Sequence, residues 1–313
     1  MTLLSRTANN LYWFGRYVER AENTARLLDV TYRMSQLPDP SLAPNAEWMA
    51  ALEMVGQRKE FDKRFKSLTQ HKVIEFLCID EKNPSSIKST LRAARENARA
   101  ERNSIPTEVF ESLNGAWIGM KTVDSKSLAD GNCRDFFDWV KDRVHALRGL
   151  TYGVMLQKEA FQFYRIGTFM ERADNTARLV DVKFTLLSVR SRNDKIEDYY
   201  RWGALLRSLS ALKSYRMVYR DSVRPMQVVE LLLTNPDFPR SIAHCTNTVS
   251  DTLETLGPDT RSAFLAKRLH QQFAKDSVDK VIRTKTVHTV LEDFTASVAT
   301  LSDQIAKDFL LEA

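Results

Sequence analysis

Residues 19–30 read ERAENTARLLDV, and residues 171–182 read ERADNTARLVDV. Ten of the twelve positions are identical, and the two differences are Glu22/Asp174 and Leu28/Val180. Around the first copy, Leu11, Phe14, Val18, Ala21, Ala25 and Leu28 step by three and four. That is the period of an α-helix with one buried stripe. The stretch therefore decides two things together: the chain is helical, and it carries an internal duplication.

The likeness spreads outward from the motif. Tyr12 and Gly15 recur as Tyr164 and Gly167, and Trp48 corresponds to Trp202. VIEFLCID at 73–80 corresponds to VVELLLTN at 228–235, Pro84 to Pro239, and Ser86-Ile87 to Ser241-Ile242. A whole helical unit is duplicated, about 5–115 and 157–270, within one domain spanning 1–313 that closes with C-terminal helices over 259–311. The fold expected is an all-α bundle with pseudo-two-fold symmetry. Cap and breaker residues predict helices over about 5–34, 46–57, 65–80, 83–103, 134–147, 158–189, 195–218, 223–233, 239–256, 259–275 and 277–311, with another opened by Pro106. Ser5 and Asn83 are the expected N-caps of the first and fourth. No sustained period-two alternation occurs, so no sheet is expected.

Composition agrees. The 313 residues include only 10 Gly and 9 Pro, few for a turn-rich β protein, and 43% are hydrophobic. The formal charge of +6 permits an anionic partner without calling for nucleic acid. Cys78, Cys133 and Cys245 lie far apart in an odd number and read as free thiols of a reducing compartment. The opening residues lack a signal-peptide core and no apolar run is long enough to span a bilayer. The expectation is a cytoplasmic protein with neither nucleic acid nor membrane as partner.

Two charged stripes carry the functional candidates. On the first helix Arg16, Glu19, Asn23 and Arg26 follow helical spacing, and Glu171, Asn175 and Arg178 repeat it. Arg20 and Arg172 complete the motif. Reciprocal buried pairs, Glu19 with Arg178 or Arg172 and Glu171 with Arg26 or Arg20, would set helix register. Alternatively the same groups line a cavity for a charged small molecule. The second stripe is Lys88, Arg92, Arg95, Arg99 and Arg102, five cations beside the apolar Ile87, Leu91, Ala94 and Ala98. Like charges so spaced repel, so water, acids or an anionic ligand must offset them. The corresponding residues of the second half, Ala243, Asn247, Ser250, Glu254 and Gly257, hold no cation. A single anion site on a duplicated scaffold would break symmetry this way; a solvated basic face or docking surface is the other reading. Arg95, Asn97 and Arg99 are the candidate ligand contacts here. Glu19, Glu96 and Glu171 are the candidate catalytic carboxylates, provided desolvation brings one toward a general base's range.

The five histidines form no helical ligand pair. A di-metal bundle needs Glu-x-x-His, but the residues three after Glu19 and Glu171 are Glu22 and Asp174. No phosphate loop or nucleophile elbow appears. Neither a metal nor a bound cofactor is expected.

The opening YWFGRYVERAENTAR (12–26), the segment NPSSI with AARENAR, and the later FMERADNTAR and NPDFPRSI together resemble the bacterial alpha-E family, in order and across nearly the whole chain. Phe110 stands where that resemblance leads us to expect tryptophan. The resemblance implies a helical domain linked to circularly permuted ATP-grasp ligases and transglutaminase-like proteins. It thereby implies a part in ATP-dependent amide or peptide bond formation: an amidoligase or peptide-ligase system in which ATP arrives through the ATP-grasp partner. Within it the chain would bind a charged small molecule, peptide or acyl-phosphate, or act as a non-catalytic scaffold that docks the partner.

Overall fold

A computed structural model describes residues 3–36, 45–129, 132–188, 195–273 and 286–310. Among the described residues there are fourteen α-helices and no strand. They are α1 (Ser5–Ser35), α2 (Ala46–Met54), α3 (Arg58–Arg64), α4 (Gln70–Cys78), α5 (Ile87–Ala100), α6 (Thr107–Lys121), α7 (Cys133–Val154), α8 (Glu159–Ser188), α9 (Lys195–Ser208), α10 (Leu212–Tyr219), α11 (Pro225–Thr234), α12 (Ile242–Leu256), α13 (Arg261–Gln272) and α14 (Val287–Ile305). The last runs into one wider turn, Ala306–Leu310.

Two compact units divide inside α8: Met1–Glu171 with Phe309–Ala313, and Arg172–Asp308. In the first, α1 packs on α5 and α7, with α6 against both of those. The predicted stripe of α1 is its core face: Leu11, Phe14, Ala21, Ala25 and Leu28 are fully buried. In the second unit α12 packs on α13, and α13 on α14, where the Phe273 and Phe294 rings meet edge to face at 4.8 Å.

The structure moves several predicted boundaries, each for a local reason. Leu4 rather than Ser5 is the N-cap of α1, and it makes no side-chain cap. The Leu3 N–H donates to Glu159 Oε2 at 2.7 Å, tying the chain's start to the start of α8. The helix expected over 65–80 is shorter, α4 alone, capped by Thr69, because Phe65 is extended; ahead of it stands a short helix, α3, that was not expected. Phe61, Phe65 and Phe76 cluster with ring centroids 4.7–6.0 Å apart, which folds α3 back on α4. Asn83 does not cap α5; Ser86 does, its hydroxyl accepting from Ser89 N–H at 3.1 Å. Asn83 braces the preceding turn by accepting from Ser85 N–H and donating to the Phe76 carbonyl, both at 2.9 Å. In the second half Ser241 caps α12 the same way, accepting from His244 N–H at 3.0 Å. The stretch 195–218 breaks at Ser210, which sits in the left-handed region (φ 55°), giving α9 and α10. Helix α7 runs on to Val154 past Gly149 and Gly153. The expected C-terminal helix from 277 lies partly outside the described residues, which resume at Thr286.

Helices α1 and α8 meet at a glycine from each. A Cβ on Gly15 would stand 2.2 Å from the Tyr164 carbonyl oxygen, and one on Gly167 would stand 2.0 Å from that of Tyr12. Only glycine permits backbones so close. The Phe14 and Tyr164 rings pack beside the crossing at 5.0 Å.

Candidate functional site

The crossing positions the motif. One turn past Gly15, Glu19 and Glu22 stand three apart on α1, both fully buried. A buried carboxylate must find cations and donors or lose its charge. Both find Arg148, from α7: its Nη2 donates to Glu19 Oε2 at 2.9 Å and also to Glu22 Oε2. Arg26, four residues after Glu22, donates from Nε to Glu22 Oε1 at 2.6 Å. His145, one turn before Arg148, sets Nε2 at 3.2 Å from the same oxygen and 2.9 Å from Arg26 Nη2. The acids lie at the bottom of this cluster. Their partners reach outward, to 12% side-chain exposure for Arg26, 23% for Arg148 and 47% for His145.

Glu171 belongs to a second cluster. Arg20 grips it with both arms of the guanidinium, Nε to Oε1 at 2.5 Å and Nη2 to Oε2 at 2.9 Å. Arg16 Nε donates to Oε2 at 2.9 Å, and Arg16 Nη1 to the Tyr12 hydroxyl at 3.2 Å. Burial alone would raise the Glu171 carboxyl, but Arg20 and Arg16 together outweigh it and hold the group below its ordinary range. Burial likewise works against the Arg20 charge, and Glu171 more than restores it. Aromatic rings cover the outer side: Arg16 lies 5.1 Å over Trp13, Arg20 lies 5.8 Å over Tyr17, and those two rings are 5.4 Å apart.

Of the reciprocal pairs expected from the duplication, Arg20 with Glu171 is present. Arg26 and Arg178 each close on the acid four residues earlier, Glu22 at 2.6 Å and Asp174 at 2.8 Å. The i,i+4 pair is thus made in both copies, and Glu22/Asp174 changes side-chain length while keeping the acid. Arg172, buried, donates to the Pro239 carbonyl at 3.3 Å, and Thr176 to the Arg240 carbonyl at 2.8 Å. In this second copy, motif side chains hold the turn that enters α12. Asn23 is buried and Asn175 half-buried.

The basic face of α5 does not converge on one point. Lys88 and Arg92 close on Glu81 at 2.9 and 3.3 Å. Arg95 reaches Asn114 Oδ1 on α6 at 2.7 Å and Glu96 Oε1 at 2.6 Å, while Arg99 takes Glu96 Oε2 at 2.6 Å. Arg102 lies past the end of α5, 4.5 Å over the Phe110 ring. Phe110 thus fills its place as packing beneath a cation. Acidic side chains and one amide offset the stripe, with Glu96 and Arg99 well exposed at 42% and 62%. Asn97 is half-buried on the same helix.

Residue spacing missed Arg148, His145 and Lys141. These recur at i, i+4 and i+7 along α7, so they share a face. A sequence shows that face but not that it turns toward α1. Lys141 completes a third cluster with Asp29 (2.9 Å) and Arg33 (2.9 Å to the same carboxylate). Among the described residues no group of His, Cys, Asp and Glu is arranged to hold a metal ion, and no helix is long and apolar enough to cross a membrane.

The family model Alpha-E, described as a predicted alpha-helical domain with a conserved ER motif, matches residues 3–310. The two ER pairs are Glu19-Arg20 and Glu171-Arg172. No curated protein and no solved structure matches the chain.

Proposed function

The chain belongs to the Alpha-E family, and from that premise we propose that it is the non-catalytic component of an ATP-grasp-linked system forming amide or peptide bonds, docking the ligase and holding it to its charged substrate. One observation carries the choice of scaffold over catalyst. Each candidate base is already closed on by guanidinium: Glu19 by Arg148, Glu171 by Arg16 and Arg20, and Glu96 by Arg95 and Arg99. A base for an incoming amine needs a lone pair turned to the substrate and a pKa near neutrality. Glu171 is held the other way, and Glu96 is a surface clamp. The bond-forming chemistry therefore belongs to the ATP-grasp partner, and this chain supplies geometry.

A second reading rests on the rings over Arg16 and Arg20. Guanidiniums fixed from below by Glu171 and flanked by Trp13 and Tyr17 are preorganised for a carboxylate or phosphate. In that reading an acyl-phosphate or peptide carboxylate rests at this outer edge while the ligase acts.

The test is reconstitution. The chain and a circularly permuted ATP-grasp protein are purified, mixed with amino acids and ATP, and followed for ADP release and a new amide by mass spectrometry. The scaffold reading expects product to rise when this chain is added and to survive Glu96→Gln unchanged. Product forming at the same rate without the chain contradicts it, and loss of product in folded Glu96→Gln returns a catalytic role to this chain.

A further inference from the structure

Helix α10 has two unlike faces. Lys213, Arg216 and Met217 recur at i, i+3 and i+4, so they share one face; Arg220 follows as the C-cap, and all four are exposed. Met217 is 68% exposed, with Val218 (51%) beside the stripe and Met226 (50%) in the first turn of α11. The opposite face carries Tyr215, fully buried. Among the described residues no acid closes on Lys213, Arg216 or Arg220; the one nearby, Asp221, is held by Arg224 at 2.6 Å.

The turn that follows is fixed. The Tyr215 hydroxyl accepts from Arg224 N–H at 2.9 Å and lies 2.6 Å from Gln227 Oε1 and 2.9 Å from the Ser222 carbonyl, so one buried side chain ties α10 to the start of α11. Arg220 sits within that turn at φ 51°. A left-handed arginine is a strained choice where Asn or Gly would relax. That conformation places Arg220 at the end of the stripe, beside a turn held by the Tyr215 hydroxyl.

We propose that this face of α10, with the first turn of α11, docks an acidic amphipathic helix of another protein. Its carboxylates meet Lys213, Arg216 and Arg220, and its apolar side chains seat on Met217, Val218 and Met226. Charge complementarity names the partner's sign. The exposed methionines name its other face, since their flexible thioethers repack around varied apolar side chains. The inference does not rest on the amide-bond reading.

The probe is a labelled helical peptide of repeated Leu-Glu-Glu-Leu-Leu-Glu-Glu, titrated with the full chain by fluorescence anisotropy, alongside sedimentation with phosphatidylglycerol vesicles. Arg216→Glu with Arg220→Glu should weaken peptide binding by roughly tenfold or more. Met217→Ser with Val218→Ser should weaken it several-fold, and both effects should persist in proteins whose circular dichroism is unchanged. Lys59→Glu with Lys126→Glu makes the same change in net charge on exposed sites elsewhere and should leave binding within about twofold. Equal losses from both charge reversals, no effect of the serine variants, or binding to vesicles but not peptide would each overturn the proposal.

Discussion

Gly167 stands so close to Tyr12 that a single methyl group would separate two helices. Its built Cβ lies 2.0 Å from the Tyr12 carbonyl oxygen, and the reciprocal distance from Gly15 to the Tyr164 oxygen is 2.2 Å. Neither neighbour is a side chain that can swing away. Gly167→Ala should therefore destabilise by at least the ~1–3 kcal/mol typical of overpacking, read as a lower melting temperature. Gly115→Ala and Gly149→Ala, on exposed helix positions with nothing within 4 Å, should do the opposite. They should gain up to about 1 kcal/mol each from helix propensity.

Arg148 is the hinge between two buried acids. Arg148→Met leaves Glu19 and Glu22 without their shared cation, and losing one partner of a buried pair costs about 3–5 kcal/mol. The loss should shrink as pH falls from 8 to 5, because a buried carboxylate without that cation takes up a proton. Chemical denaturation at several pH values checks this; a deficit constant with pH would mean the carboxylates never depended on Arg148.

Acid should weaken the first unit. Glu171 and Asp29 both have folded pKa values below their ordinary ones: burial opposes this, but Arg20 and Arg16 in one case and Arg33 and Lys141 in the other prevail. A depressed carboxyl contributes stability that is present above its unfolded pKa of about 4 and is lost as pH falls through the folded value. Unfolding midpoints measured downward from pH 5 should fall, and Glu171→Gln should flatten the slope.

His288 works in the other direction on the second unit. Its hydrogen bond to Asp181, 2.6 Å from Nδ1, raises its pKa against a small opposing effect of burial. That stability is complete below about 6.5 and is lost as pH rises through the folded value. The pair is half-exposed, so the effect is about 0.5 kcal/mol or less. His288→Gln should abolish this small alkaline loss, followed by imidazole titration in proton NMR.

Much of this was legible in the sequence, and the limit is instructive. The apolar stripe of α1 could be read because periodicity reports directly on burial. The pairing of the two motif helices could be read from the twelve-residue repeat; that Gly15 and Gly167 make the crossing could not. Arg20 with Glu171 followed from the duplication. The partners of Glu19 and Glu22 did not, because Arg148 and His145 come from α7, which has no repeat to flag it, and tertiary contact leaves no trace in spacing. Spacing showed the basic stripe but not the acids that offset Lys88, Arg92, Arg95 and Arg99, because Glu81 and Glu96 lie off the stripe and enter only once side chains have rotamers. Cap chemistry misled in two places: Ser5 falls inside α1, whose N-cap is Leu4, and Asn83 carries cap chemistry but Ser86 sits where α5 begins.

The ER motif acts as an ion-pair keystone, with Arg20 closed on the buried Glu171. A double-mutant cycle between Arg20 and Glu171, using Arg20→Met and Glu171→Gln singly and together, isolates their mutual contribution. With the bidentate grip at 2.5 and 2.9 Å, the coupling energy should lie at the upper end of the ~0.5–3 kcal/mol seen for contacting residues. Additive effects, with coupling near zero in folded variants, would contradict the claim and return the motif to the role of a solvent-facing ligand site.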